Sequence, residues 1–141
     1  MRIVFVFLFV AGLAAVGAIT ARAQDNAGQQ AVATIIQNQL NAMAAGDRAK
    51  AYSYAAPFIQ QKFRNPDIFM EMVNRGYAPL IAPQAVEFQR FEASGGRATQ
   101  AVMLVARDGS AWMATYFMQQ MEDGSWRIAG CQLEKLPGGA V

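Results

Sequence analysis

Tyr52, Tyr54, Tyr77, Trp112 and Tyr116 are the side chains of this sequence best suited to recognition or chemistry. Each joins an apolar ring to one hydrogen-bonding tip, the usual make-up of a small-ligand site. Brought together, they would wall a pocket for a small apolar ligand; ordinary core filling is the competing reading. The rest of the inventory excludes more than it offers. The 141 residues contain no histidine and a single cysteine, Cys131. A Ser-His-Asp triad, a Cys-His pair and a histidine metal site are therefore ruled out. One thiol makes neither a zinc-thiolate cluster nor a CxxC redox pair. Gly95-Gly96 and Gly138-Gly139 lack the lysine or following helix that a phosphate loop needs. Proton transfer is left to Asp, Glu, Lys and Tyr. No catalytic residue, metal ligand or cofactor is assigned.

Single charged residues have structural explanations. Asp47 stands where a helix N-cap is needed. Glu71 and Arg75, four apart, suit a surface ion pair. Asp108 and Asp123 precede glycines and read as turn formers. Cys131 is expected to be buried and inert. Strand alternation puts it on the same face as Arg127 but about 13 Å away, too far for the cation to activate it. Met103, Met113, Met118 and Met121 suit adaptable packing.

These side chains would be positioned chiefly by the last third of the chain. Asp108-Gly109 and Asp123-Gly124 each separate two runs rich in aromatic and branched residues. Read as two-residue turns, they predict a three-stranded meander. In that register Val105 faces Trp112 and Met103 faces Ala114. Met121 then faces Trp126, Gln119 faces Ile128, Met118 faces Ala129, Tyr116 faces Cys131, and Ala114 faces Leu133. Phe117 falls opposite Gly130 and would cover its bare backbone. Gln84 to Glu92 alternates weakly and reads as a preceding strand, with a turn at Ser94-Gly95-Gly96.

Upstream, Val32, Ile35, Ile36, Leu40 and Met43 share one helical stripe from Ala31, and Gly46 stops it. A second helix runs from Asp47 toward Ala56, where Pro57 ends it. A turn through Phe58, Ile59 and Phe63 follows. Asn65-Pro66 then opens a third main helix, which ends at Gly76. Tyr77 to Pro83 reads as a loop.

Residues 1–23 have the layout of a signal peptide: Met1-Arg2, an apolar run from Ile3 to Ile19, and Ala21-Arg22-Ala23 as the cleavage site. Cleavage after Ala23 predicts a periplasmic or secreted protein, with membrane attachment only if cleavage fails. Residues 24–30 are expected to be a flexible start, 31–136 one domain, and 137–141 a flexible tail. The chain has 12 Lys+Arg and 10 Asp+Glu. Loss of Arg2 and Arg22 leaves the mature part neutral, with no basic patch for nucleic acid.

Helices followed by antiparallel strands predict an α+β fold, with helices on one face of a sheet of about four strands. Met43-Ala44-Ala45-Gly46-Asp47, the helix ending in Ala56-Pro57, and Asp123-Gly124-Ser125-Trp126-Arg127-Ile128 resemble the nuclear transport factor 2-like (cystatin-like cone) superfamily. That resemblance implies helices in the hollow of a curved sheet, forming a cone with a pocket. Ser53-Tyr54-Ala55-Ala56-Pro57, Gln61-Lys62-Phe63, Phe69 to Val73, Gly76 to Pro79, Val86-Glu87-Phe88 and Trp126 to Cys131 resemble exported bacterial proteins known as domain of unknown function 4864. This second resemblance implies fold and export, and no activity.

Three functional classes follow. The leading one is a non-enzymatic exported module that binds a small ligand in the cone, or another envelope protein through the outer sheet face. The alternative is an enzyme using carboxylates or tyrosines on a small hydrophobic compound in the cone. The third is a purely structural envelope dimer. A homodimer through the uncovered sheet face is expected. A buried carboxylate beside Tyr116 or Trp112 would favour the enzyme.

Overall fold

The computed structural model of the protein describes residues 14–138. Among these, four helices precede four strands: α1 (Ala14–Ala44), α2 (Arg48–Ser53), α3 (Pro57–Phe63), α4 (Pro66–Gly76), β1 (Ala85–Ser94), β2 (Arg97–Val105), β3 (Ala111–Gln120) and β4 (Trp126–Lys135). A 3-10 turn at Ala78–Leu80 joins α4 to the strands. The strands form one antiparallel sheet in the order β1-β2-β3-β4. The fold is α+β, with helices packed in the hollow of a curved sheet.

The helix signals act as their chemistry dictates. The Asp47 carboxylate accepts the Lys50 N–H and caps α2. Asn65 accepts the Ile68 N–H and caps α4, with Pro66 in its first turn. The helix expected from Ala31 begins earlier, so residues 24–30 are helical rather than a loose start. Three glutamines and an alanine are four of its seven residues, and no proline interrupts it. Gly28 costs only about 1 kcal/mol there. Residues 1–13, which hold most of the expected signal peptide, and residues 139–141 of the expected tail lie outside the described residues. Among the described residues, no helix is long and apolar enough to cross a membrane.

The sheet register departs from the expected one in an instructive way. Gly95-Gly96 forms the two-residue turn, both residues having positive φ, and pairs Ser94 with Arg97. The two Asp-Gly turns instead use three residues. Ala106 pairs with Ser110 around Arg107-Asp108-Gly109, and Met121 pairs with Ser125 around Glu122-Asp123-Gly124. Only the glycine has positive φ in each. The extra residue shifts the pairing by one, so Leu104 rather than Val105 faces Trp112, and Met103 faces Met113. Next to the second turn, Gln120 faces Trp126 and Met118 faces Ile128. A bulge at Ala129 then removes the shift, and Phe117–Gly130, Tyr116–Cys131 and Ala114–Leu133 pair as expected. A β-carbon added at Gly130 would lie 3.6 Å from the Phe117 ring, so Phe117 does cover that glycine.

A second bulge lies in β1, where Gln89 and Arg90 together oppose Ala101. The two bulges bend opposite margins of the sheet. Its inner face carries Val102, Leu104, Ala114, Tyr116, Met118 and Ile128, all buried. Val32, Ile36, Leu40 and Met43 of α1 join the same core. The segment after α2 docks on the margin of β4: Ile128 N–H donates to the Tyr54 carbonyl, and Ala56 N–H to the Ile128 carbonyl, both at 2.8 Å. Arg127 also donates to the Ser53 carbonyl, tying β4 to the end of α2.

One backbone position is strained. Arg64, between α3 and α4, has φ 52° and ψ −40°. The Asn65 N–H closes a γ-turn of the rare hand onto the Phe63 carbonyl. A β-carbon is disfavoured there, whereas glycine accepts that φ freely. Arg64→Gly is therefore expected to raise stability by about 1 kcal/mol, read as a shifted urea midpoint at unchanged slope. A destabilised variant would contradict this strain.

Candidate ligand-binding cavity

The helices do not fill the hollow of the sheet completely. A cavity of about 240 Å³ lies between α1, α3, α4 and the β3–β4 pair. Its walls are mostly apolar, including Met43, Ile59, Phe69, Met72, Leu80 and Ile128. It is smaller than the roughly 300–1,000 Å³ of drug-sized sites. The outer wall is α3, which has no fully buried residue and leaves Phe58 53% exposed. Lys62 lies on α3, its ammonium 5.5 Å from the Phe63 ring centre.

Tyr116 forms part of the inner wall and is 0% exposed. Its hydroxyl has no hydrogen-bond partner. Burial, with Cys131 adding a smaller push, raises its pKa well above the ordinary value of 10.0. The group is therefore a neutral phenol with a proton to donate. Cys131, paired with Tyr116 across the strands, also lines the cavity. Burial pushes its thiol up from 9.0 to about 12. Arg127 does not offset this, because the Ala129 bulge moves it to the opposite face from Cys131; the expectation of a shared face fails there.

Of the five aromatic candidates, Tyr116 and Tyr77 line this cavity. Tyr52 stands behind it: its hydroxyl donates to the Gln60 carbonyl at 2.6 Å, and its ring packs edge-on against Phe69 at 5.6 Å. Tyr54 contributes its carbonyl to the β4 margin. Trp112 lies elsewhere, in a more open depression with Ile81, Ala106 and Asp108. Its indole N–H donates to Ser110, whose hydroxyl donates to Asp108. The buried Ala114 separates Trp112 from Tyr116 along β3, so the five do not form one pocket. Ala101 pairs with Thr115 and lies on the outer face.

Sequence reasoning did not select Gln39, Met43, Ile59, Lys62 or Met72. Gln39 is the one with a legible signal: it falls on the apolar stripe of α1, four after Ile35 and three after Ile36. It is 3% exposed, and its amide donates to the Ala51 carbonyl at 3.1 Å. Among the described residues, no carboxylate lines the cavity. Nor is any group of three or more His, Cys, Asp or Glu side chains placed to hold a metal ion. Asp108 and Asp123 are exposed, and hydrogen bonds from Ser110 and Ser125 hold their carboxyls below the usual value. Glu71 and Arg75 form an exposed pair at 4.0 Å.

The raised thiol and phenol make a pH prediction. The unfolded chain gives up both protons at lower pH than the folded one. Their contribution to stability is therefore complete below about pH 9 and declines as pH rises toward 12. Urea midpoints are expected to fall between pH 8 and pH 10.5, and less steeply in Cys131→Ala. At pH 8, iodoacetamide should label folded Cys131 at least about a hundredfold more slowly than the unfolded chain. Labelling within tenfold of the unfolded rate would show the thiol to be open.

A family model described as Domain of unknown function (DUF4864) matches residues 25–141. Comparison with curated proteins gives no match.

Proposed function

From a chain that belongs to the DUF4864 family, whose description carries no activity, we propose an exported, non-enzymatic module that holds a small, largely apolar ligand between its helices and its sheet. The observation that carries this reading is the largely apolar cavity of about 240 Å³ that the helices leave against the β3–β4 pair. Enzymatic acid–base work is less well supported: among the described residues no carboxylate lines the cavity, and Tyr116 and Cys131 hold their protons too tightly to serve as bases near pH 7. Export rests on the signal-like residues 1–23. The architecture is of the kind built by the nuclear transport factor 2-like superfamily.

The test is native mass spectrometry of protein purified gently from the envelope of its own host. A small mass lost on denaturation supports the reading. Apo protein only, from preparations that retain other envelope ligands, would sink it.

A homodimer through the outer sheet face is the second element of the proposal. Phe117 is 41% exposed there, on the same face as Met103 and Met113. A chain that stays monomeric at high concentration in analytical ultracentrifugation would remove it.

A further inference from the structure

Resting on that binding reading, we infer that the cavity takes a singly charged anionic amphiphile, with an apolar tail of about eight carbons inside and its head group at the mouth beside Lys62. The walls call for a tail. Met43, Ile59, Phe69, Met72, Val73 and Leu80 offer no side-chain hydrogen bond to a ligand. Gln39 lines the cavity, but its amide is already bonded to the Ala51 carbonyl. A polar end carried inward would lose its water and find no partner, so the ligand keeps that end at the mouth. Length follows from volume. Benzene, with six heavy atoms, occupies an apolar cavity of about 150 Å³. In proportion, about 240 Å³ takes roughly ten heavy atoms, an eight-carbon tail with the first atoms of its head group.

The sign of the head group comes from the mouth. Phe58 and Lys62 are the exposed residues among those that line the cavity, and four apart on α3 they share one face of that helix. The Lys62 ammonium stands 5.5 Å from the centre of the Phe63 ring, which also lines the cavity, so the charge sits at the rim. No acidic residue occurs in α3. The carboxylates of α4, the helix alongside, are engaged elsewhere, Asp67 with Arg48 and Glu71 with Arg75. Among the described residues, no carboxylate lines the cavity and Lys62 forms no ion pair. The mouth is therefore positive: it favours a carboxylate over an alcohol and repels an ammonium. Because Lys62 is exposed, the preference is modest, about two- to fivefold. Medium-chain fatty acids meet the description.

The inference is tested on the full chain carrying methyl-¹³C methionine, because Met43 and Met72 line the cavity, whereas Met103 and Met113 lie on the outer sheet face. Three probes with matched chains are titrated below their aggregation limits, near pH 7 and at low salt: nonanoate, nonan-1-ol and nonylammonium. Nonanoate is expected to shift the Met43 and Met72 methyl signals and to bind about two- to fivefold more tightly than nonan-1-ol. That margin is expected to close in about 0.5 M salt. Lys62→Gln is expected to remove it, and Lys62→Glu to make nonylammonium bind more tightly than nonanoate. Nonan-1-ol binding as tightly as nonanoate, a margin that survives Lys62→Gln, or nonylammonium binding the parent best each overturns the anionic head group while leaving the cavity as a binding site. No shift of Met43 or Met72 with any probe, shifts confined to Met103 and Met113 included, overturns the binding reading itself, and this inference with it.

Discussion

Tyr116→Phe is expected to stabilise the ligand-free protein by about 1 kcal/mol, whereas Tyr116→Ala is expected to destabilise it by about 3–5 kcal/mol. The two effects separate the ring from its hydroxyl. The ring fills the centre of the inner sheet face, and among the described residues Tyr116 is the largest fully buried side chain. Its removal would enlarge the existing cavity, and the walls on β2 and β4 are held by strand pairing that limits collapse. The hydroxyl has no partner, so the folded state loses its water contacts without replacement. Phenylalanine keeps the packing and removes that cost. Urea unfolding of the three proteins at pH 7 decides the matter. A Tyr116→Phe variant more than 1 kcal/mol less stable than the parent would mean the hydroxyl is bonded in the folded protein. Positions where deleting a polar atom raises stability are those where that atom is kept for something other than folding.

The helical half of the fold was legible because its signals are local. Asp47, Asn65-Pro66 and Gly76 each act within one turn of where they stand and mark their helix ends as expected, whereas α2 stops at Ser53, short of Pro57, which instead opens α3. The sheet was legible in composition and order but not fully in register. Asp-Gly is compatible with both a two-residue and a three-residue loop, and these differ by one step in pairing. In both turns the serine after the glycine decides the outcome. Ser110 and Ser125 each donate a backbone N–H and a hydroxyl to the preceding aspartate, holding a loop in which only the glycine is left-handed. The repeated Asp-Gly-Ser carries this preference in the sequence itself. The Ala129 bulge had no local signal. It restores the register that lets Tyr116 meet Cys131, a requirement set by the whole sheet.

The cavity was partly legible for the same reason. Tyr116 and Tyr77 were chosen by chemistry, and both line it. Trp112 shares the inner face with Tyr116, but the length of β3 carries it to a separate depression. Tyr52 and Tyr54 share the residue type, but the Tyr52 hydroxyl is bonded to the Gln60 carbonyl, and the Tyr54 carbonyl holds Ile128 at the β4 margin. The α3 residues Ile59 and Lys62 border the hollow only because Ala55 and Ala56 dock on the β4 margin. That long-range bridge leaves no mark in spacing or composition.

Gln100→Met is expected to cost about 2–3 kcal/mol, a large effect for a change that nearly preserves volume. Gln100 is 0% exposed and stands opposite Tyr116 on β2. Its amide nitrogen donates to the Ala101 carbonyl at 2.8 Å, to Gln89 at 3.1 Å and to Arg90 at 3.4 Å. The last two are the carbonyls of the β1 bulge, so Gln100 satisfies the groups that bending the sheet takes out of the ladder. Methionine fills the space and donates nothing. Gln100→Glu sharpens the test, because it keeps the shape and substitutes acceptors for donors. Buried among carbonyls, that carboxyl would have its folded pKa raised. Its deficit should therefore shrink as pH falls and widen as pH rises through neutrality. A deficit independent of pH would mean that water reaches the bulge. Gln100 also has an unpartnered oxygen of its own, opposite the unpartnered hydroxyl of Tyr116. A double-mutant cycle between Gln100→Met and Tyr116→Phe measures whether the two are bonded. Coupling below about 0.5 kcal/mol means that the two atoms are not bonded to each other, and coupling above about 1 kcal/mol commits the Tyr116 hydroxyl to the sheet.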